Sequence, residues 1–297
     1  MTKPPLVSVV IPTHNRPDML REAIASVRAQ TFTDYEILVV CNGASQEDLL
    51  RYAAIRDVRI IVTARKGIGL ALNIGIAAAR GEWVAFLDDD DLWEPNNLGR
   101  QLQTAESEDA DLVFCDFTSF GRGARLVDPI RPPAGFSIRE AFLLANYGGG
   151  CSVTMVRRSA LRAVGGFDER LVCPDWDLWM RLSWYFRIAR TDALLVRYRH
   201  HEGNTSKRMC STTFHLRTMA KAFMIMPKNL EHMKIITLNR AMLLILIPIY
   251  AFLNKLSLGW LSYFKREVLK LRRTAGLSSG SAVAECAESP KFERLGI

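Results

Sequence analysis

The chain has 297 residues, 49% of them hydrophobic and 24% charged, which excludes a disordered protein and allows one large domain or one with an appendage. A net charge of +8 favours anionic partners such as nucleotides, phosphates or an anionic membrane surface. Nucleic acid is disfavoured, because the basic residues are scattered and not gathered beside exposed aromatics.

Leu6–Ile11 reads as a first strand that stops at Pro12, with Thr13 to Pro17 as a loop and Asp18 capping a helix striped by Met19, Ala23, Ile24 and Val27. A second strand, Glu36–Val40, stops at Cys41-Asn42-Gly43, and a helix over Gln46–Ile55 and a short strand, Val58–Val62, follow. Gly67-Ile68-Gly69 leads into a helix ending at Gly81. Its spacing is not the dinucleotide fingerprint, which argues against a nicotinamide enzyme. This alternation predicts an α/β protein whose first half is a largely parallel sheet.

The next strand carries the sharpest signal. Trp83-Val84-Ala85-Phe86-Leu87 runs straight into Asp88-Asp89-Asp90-Asp91. Four adjacent carboxylates repel one another, and a cation relieves that best. Carboxylate oxygens suit Mg2+ or Mn2+, ions that bridge to substrate phosphates, and the end of a strand in an open α/β sheet is where ligands bind. The plainer alternative for Asp91 is a helix cap before Leu92-Trp93-Glu94-Pro95.

Beyond it, Leu98–Ser107 reads as a helix, Ala110–Phe117 as a strand, Gly121–Ser137 as a loop, Ile138–Ala145 as a short helix and Cys151–Val156 as a strand after Gly148-Gly149-Gly150. Asp175–Ser183 is a helix opening with two carboxylates. Asp175 and Asp177 cannot share a helical face, so one caps or pairs with Arg181 and the other is free to point into a cleft, where it could take a proton. Ala193–Arg199 is a strand ending at His200-His201, where a histidine is either a metal ligand or a solvated side chain.

The apolar run Ala241–Leu253 is too short to span a membrane. With Trp260, Tyr263, Phe264 and the basic residues up to Arg273, it reads equally as an element lying on an anionic membrane surface or as a helical hairpin packed on the main domain. The cysteines at 41, 115, 151, 173, 210 and 286 have no zinc or iron–sulfur spacing. With no signal peptide pattern at the start, free thiols in a reducing cytosol are expected.

In order and spacing these segments resemble glycosyltransferase family 2, inverting enzymes of the GT-A fold, from about Pro5 to Ser206. Val10–Arg16 resembles the family's opening nucleotide-binding loop, Asn73–Gly81 with Phe86–Asp91 its stretch ending in Asp-any-Asp, Gly165–Glu169 its acceptor-side loop, Asp175–Arg181 the segment with the catalytic base, and Tyr198, Arg199, His201, Asn204 and Ser206 the motif that closes over the diphosphate. The resemblance implies a GT-A (Rossmann-like nucleotide-diphospho-sugar transferase) fold over residues 1–210, with a nucleotide-sugar half about 1–117 and an acceptor half about 118–210. A helical extension, 211–275, and a flexible tail, 276–297, would follow.

It also implies transfer of a sugar from a nucleotide-diphosphate sugar, UDP-linked by the family's leaning, to a glycan or lipid-linked hydroxyl. Asp175 would be the base. Asp90 and His201 would hold Mn2+ or Mg2+, and Pro12, Thr13, Asn15, Asn42, Arg65, Asp88 and Arg199 would line the donor site. The four-Asp run lets the motif shift by one residue, which keeps Asp89 a donor-site candidate. Two departures stand out: Cys41-Asn42 replace the family's acidic pair, and Pro174 replaces the Glu that commonly precedes the base. The rival readings are a sugar-phosphate nucleotidyltransferase and a degenerate glycan-binding protein of the same fold.

Overall fold

The structure is a computed structural model that describes residues 3–122, 124, 131, 137–142, 146–171 and 174–204. The expected 211–275 extension, the 276–297 tail, the Ala241–Arg273 segment and most of the Gly121–Ser137 loop lie outside the described residues, as do Cys173 and Ser206.

The first half follows the expected alternation: β1 (Val7–Thr13), α1 (Pro17–Arg28), β2 (Tyr35–Asn42), α2 (Gln46–Ala53), β3 (Arg59–Thr63), α3 (Ile68–Ala78) and β4 (Trp83–Phe86). These strands are all parallel. β1 lies between β2 and β4, so that Val10 faces Leu38 on one side and Phe86 on the other. All seven residues of β1 are buried, as expected of a parallel strand covered on both faces. Gly75 of α3 permits that cover, since a Cβ there would collide with the Val10 side chain. From β1 the chain builds β2 and β3 on one side and then returns to lay β4 on the other, which opens a crevice at the strands' carboxyl ends.

The second half is mixed. β5 (Leu92–Trp93), α4 (Asn97–Ser107), β6 (Leu112–Gly121), α5 (Ile138–Phe142), one 3-10 turn (Cys151–Val153), β7 (Thr154–Arg157), α6 (Arg158–Ala163), α7 (Asp175–Tyr185) and β8 (Ile188–His200) complete the described elements. The eight strands form one sheet in the order β3-β2-β1-β4-β7-β6-β8-β5. β7 runs antiparallel to β4 and β6, and β5 antiparallel to β8.

Beyond shifted element ends, local expectations differ from the structure in these places. β1 continues through Pro12, still paired with Val40 of β2, because on the opposite side β4 stops pairing at Val10 and no strand there misses the absent N–H. Asp18 does not cap α1. Pro17 sits in its first turn, Arg16 is the N-cap without a side-chain bond, and Asp18 pairs with Arg21 and Arg51. The buried stripe of α1 uses Leu20 where Met19 was expected. Asp91 caps no helix, because Leu92–Trp93 is a strand and α4 begins at Asn97. Cys151–Val153 is a 3-10 turn and not strand, closed by the Thr154 hydroxyl donating to the Cys151 carbonyl at 2.7 Å.

Among the described residues, no helix is long and apolar enough to cross a membrane.

Candidate active site

The ends of β1, β2, β3 and β4 meet at the crevice, so the segments that follow them are neighbours: Thr13 to Arg16, Asn42, Arg65 and the carboxylate run. Asp88–Asp91 is a tight turn, closed by the Asp91 N–H donating to the Asp88 carbonyl at 3.1 Å. The turn splits the four side chains. Asp88, Asp90 and Asp91 each present an oxygen, and the three lie within 4.8 Å of one another. Asp89 turns towards β1, accepting from the Thr13 hydroxyl at 2.6 Å and from Arg16 Nε at 3.2 Å, with Arg16 Nη2 on its other oxygen.

The group of three is fixed from behind. The Ser152 hydroxyl donates to Asp91 Oδ2 at 2.6 Å and accepts from the Asp88 N–H at 3.0 Å. The Arg199 main-chain N–H donates to Asp91 Oδ1 at 2.9 Å. Asp90 Oδ2 accepts from Arg16 Nη1 at 2.6 Å and from His201 Nε2 at 2.9 Å. Burial, reinforced by the neighbouring carboxylates, pushes Asp88 well above the usual carboxylate range and Asp91 up to about 7. Burial also takes Asp89 up to about 6 against the pull of Arg16. Carboxylates held together at this cost are a donor set that a hard divalent cation relieves, so the residues fit a metal ion.

The His201 tautomer follows from its neighbours. The Gly203 N–H donates to Nδ1 at 3.1 Å, so Nε2 carries the proton and donates to Asp90. Ligation through Nε2 would require that proton to leave.

At the start of α7 the two carboxylates part ways. Asp177 is fully buried and takes Arg181 Nε and Nη2 at 2.9 and 2.7 Å; Arg181 in turn holds the carbonyls of Val164 and Gly166, both at 2.7 Å. This is the pairing expected of one of the two. Asp175 has no ion pair among the described residues. It accepts from the Trp176 N–H at 2.8 Å and from Asn146 Nδ2 at 3.4 Å, and burial raises its pKa to about 6 against those bonds. Trp176 and Trp179 anchor the helix beneath it by donating to the carbonyls of Phe142 and Gly149. Asn146 also holds the Gly149 carbonyl at 2.9 Å. Residues 146–152 thus tie Asp175 at one end and the metal-fitting carboxylates, through Ser152, at the other.

The other expected site residues are largely engaged. Pro12 and Thr13 are buried, and the Thr13 hydroxyl is spent on Asp89. Asn15, at φ 54°, accepts from the Ser45 N–H at 3.1 Å. Asn42 donates to the Thr13 carbonyl at 3.0 Å and accepts from the Gly67 N–H at 3.3 Å, which leaves its amide committed to joining three loops. Arg65 is mostly exposed and faces Glu169 at 3.4 Å. The Arg199 guanidinium holds the Asp90 carbonyl at 2.8 Å and pairs with Glu22 while stacking on Phe120. Arg197 stacks on the same ring.

Four residues that organise the site had no role of their own in the sequence reading: Arg16 and Asn73 lay within motif stretches, Asn146 and Ser152 in none. Asn73 exchanges bonds with the Phe167 main chain at 2.8 and 2.9 Å. Gly166, at φ +68°, leaves room for it, because a Cβ there would sit 2.5 Å from Asn73 Oδ1. That contact joins residues 94 positions apart, and neither it nor the serine at 152 carried a signal in the sequence.

Known proteins resemble this chain in sequence and in fold. Residues 8–165, more than half of the chain, match the family described as glycosyl transferase family 2. A protein described as an uncharacterized glycosyltransferase from Rickettsia typhi is 28% identical over 214 residues, covering 69% of this chain and 67% of its own length. The chain spans between 31% and 67% of the five rickettsial relatives it matches. Among solved structures, S. aureus TarS 1-349 in complex with UDP-GlcNAc superposes with a TM-score of 0.61 at 19% identity, over 74% of this chain and 66% of TarS. The mannosyltransferase PcManGT from Pyrobaculum calidifontis in complex with GDP-Man and Mn2+ gives 0.61 at 16% identity, over 96% and 87%. These likenesses establish the GT-A fold for the described sheet. With the family match running from β1 through α6, across the carboxylate turn, the chain belongs to glycosyl transferase family 2.

Proposed function

We propose that this chain is a metal-dependent, inverting glycosyltransferase that moves a sugar from a nucleotide-diphosphate sugar to a hydroxyl acceptor. The observation that carries the reading is the division of carboxylates across the segment 146–152. Three gather at the crevice, and among the described residues one, with a pKa of about 6, stands without an ion pair at the head of α7.

Asp88, Asp90 and Asp91 would hold Mn2+ or Mg2+, which when bound supplies positive charge to the diphosphate leaving group. Asp175 is poised as the base: at neutral pH it is mostly ionised, yet basic enough to take a proton. The acceptor O–H gives its proton to the Asp175 carboxylate as its oxygen bonds to the anomeric carbon. The bond from that carbon to the diphosphate oxygen breaks, and a nucleoside diphosphate leaves. A single displacement from the opposite face inverts the anomeric configuration. Thr13, Asn15 and Asn42 shape the floor for the nucleoside, and Arg65 and Arg199 are the nearby forks for phosphate.

For the donor we propose a uridine nucleotide. TarS was solved with UDP-GlcNAc, whereas PcManGT was solved with GDP-Man, so the base is the feature most in need of test. The acceptor in this reading is a glycan or lipid-linked hydroxyl of surface polysaccharide or glycolipid synthesis. The Ala241–Arg273 segment would hold the enzyme peripherally on the cytoplasmic face of an anionic membrane.

The test is a panel of UDP-, GDP- and dTDP-sugars with Mn2+ and membranes, read by the released nucleotide. Nucleoside diphosphate from a UDP-sugar, abolished by chelator and restored by Mn2+, is expected. Release from a GDP- or dTDP-sugar alone would overturn the base assignment. Pyrophosphate release would favour a nucleotidyltransferase, and silence with every donor would favour glycan binding without turnover.

A further inference from the structure

We propose that Arg16 is the protein's own counter-cation for the carboxylate turn, and that it makes metal and nucleotide bind cooperatively: an ion settles fully only when the diphosphate draws the guanidinium away from Asp90. The inference rests on the metal-dependent transferase reading above.

Arg16 has a fixed base and a movable end. Its backbone is pinned, with its N–H donating to the buried Tyr52 hydroxyl at 3.2 Å, Asn15 locked in the left-handed region before it and Pro17 in the first turn of α1 after it. Its side chain is 36% exposed, so the guanidinium can swing within the crevice without the main chain moving. It grips Asp89 through Nε and Nη2 and reaches Asp90 Oδ2 with Nη1 at 2.6 Å.

Asp89 lies outside the group of three, whereas Asp90 is a member. The oxygen of Asp90 that Arg16 occupies is also the one that accepts from His201. An ion that Asp90 helped to hold would share that carboxylate with two N–H donors, one of them on a full positive charge. The guanidinium therefore competes with the ion for Asp90 while keeping its hold on Asp89. A diphosphate offers the same planar fork a better partner. Once Nη1 has turned to phosphate, Asp90 is released to the ion. Coupling of this kind is reciprocal, so the ion must strengthen nucleotide binding by the same factor.

The experiment measures Mn2+ affinity of the full chain from the electron paramagnetic resonance signal of free Mn2+, with no nucleotide and with saturating UDP or GDP, corrected by protein-free controls. It compares the wild type, Arg16→Gln and Arg16→Lys. Circular dichroism and thermal melting confirm that each variant is folded. Wild type should bind Mn2+ about tenfold more tightly with nucleotide than without, within the usual range of coupling between sites. R16Q should bind Mn2+ more tightly than wild type in the absence of nucleotide and should lose most of the enhancement. R16K, which keeps the charge but not the fork, should fall between the two.

Nucleotide-enhanced Mn2+ binding that is the same in wild type, R16Q and R16K would overturn the role of Arg16 and leave the transferase reading standing. No Mn2+ binding by wild type with either nucleotide would overturn both.

Discussion

Two clusters of neighbouring carboxylates solve the same electrostatic problem differently. At Asp175 and Asp177 a helix sends the two side chains apart. One is buried against Arg181; the other, among the described residues, meets only neutral donors, and its pKa climbs to about 6. At Asp88–Asp91 a tight turn does the sorting: Asp89 leaves to pair with Thr13 and Arg16, and the remaining three converge. In each case one carboxylate becomes a structural anchor, and the others are the ones to which the proposed function assigns metal and proton. Position two residues along the chain therefore says little about role; backbone direction decides it.

The contrast breaks most visibly at the paired member. Asp177→Asn would leave Arg181 buried beside a weaker partner, with its bonds to the Val164 and Gly166 carbonyls unsettled. A loss of about 3–5 kcal/mol in unfolding free energy is expected, read by denaturant melts. At the metal-fitting turn, Asp90→Asn removes one of three converging oxygens. Turnover should drop about 10²–10³-fold in steady-state assays, with the melting curve little changed.

A smaller effect sharpens the difference between Asp175 and Asp177. The native pKa of Asp175 lies above the unfolded value of 3.8, near 6. Its contribution to stability is therefore complete below pH 3.8 and is lost as pH rises through about 6. At pH 8 the half-buried charge costs up to about 2–3 kcal/mol, less what solvent screens, so Asp175→Asn should melt higher than wild type there, the opposite sign to Asp177→Asn. An unchanged or lower melting point would show that the carboxyl is better solvated than this account requires. The same titration makes kcat in wild type fall about tenfold per pH unit below pH 6.

Much of this was legible in the sequence. Apolar runs with polar stops located β1 to β4, and the abrupt change at Asp88 located the crevice, because a parallel strand buried on both faces has to be apolar and its loop does not. Asp177–Arg181 was readable from i,i+4 spacing. The separation of Asp89 from Asp88, Asp90 and Asp91 was not, since it depends on a turn closed by one main-chain bond. Nor was the clamp by Ser152 and Asn146, which joins residues more than sixty and nearly thirty positions away. The commitment of the Asn42 amide to Thr13 and Gly67 likewise arises only once β1, β2 and the loop before α3 converge.

The central claim is that the crevice carboxylates hold the donor while Asp175 moves the proton, and Asp175→Asn tests it most directly when binding and turnover are measured on one preparation. With Mn2+ present, the Kd for the nucleoside diphosphate should stay within about twofold of wild type while kcat falls by at least about 10²-fold. Nearly full turnover, or loss of nucleotide binding in step with loss of rate, would contradict the account.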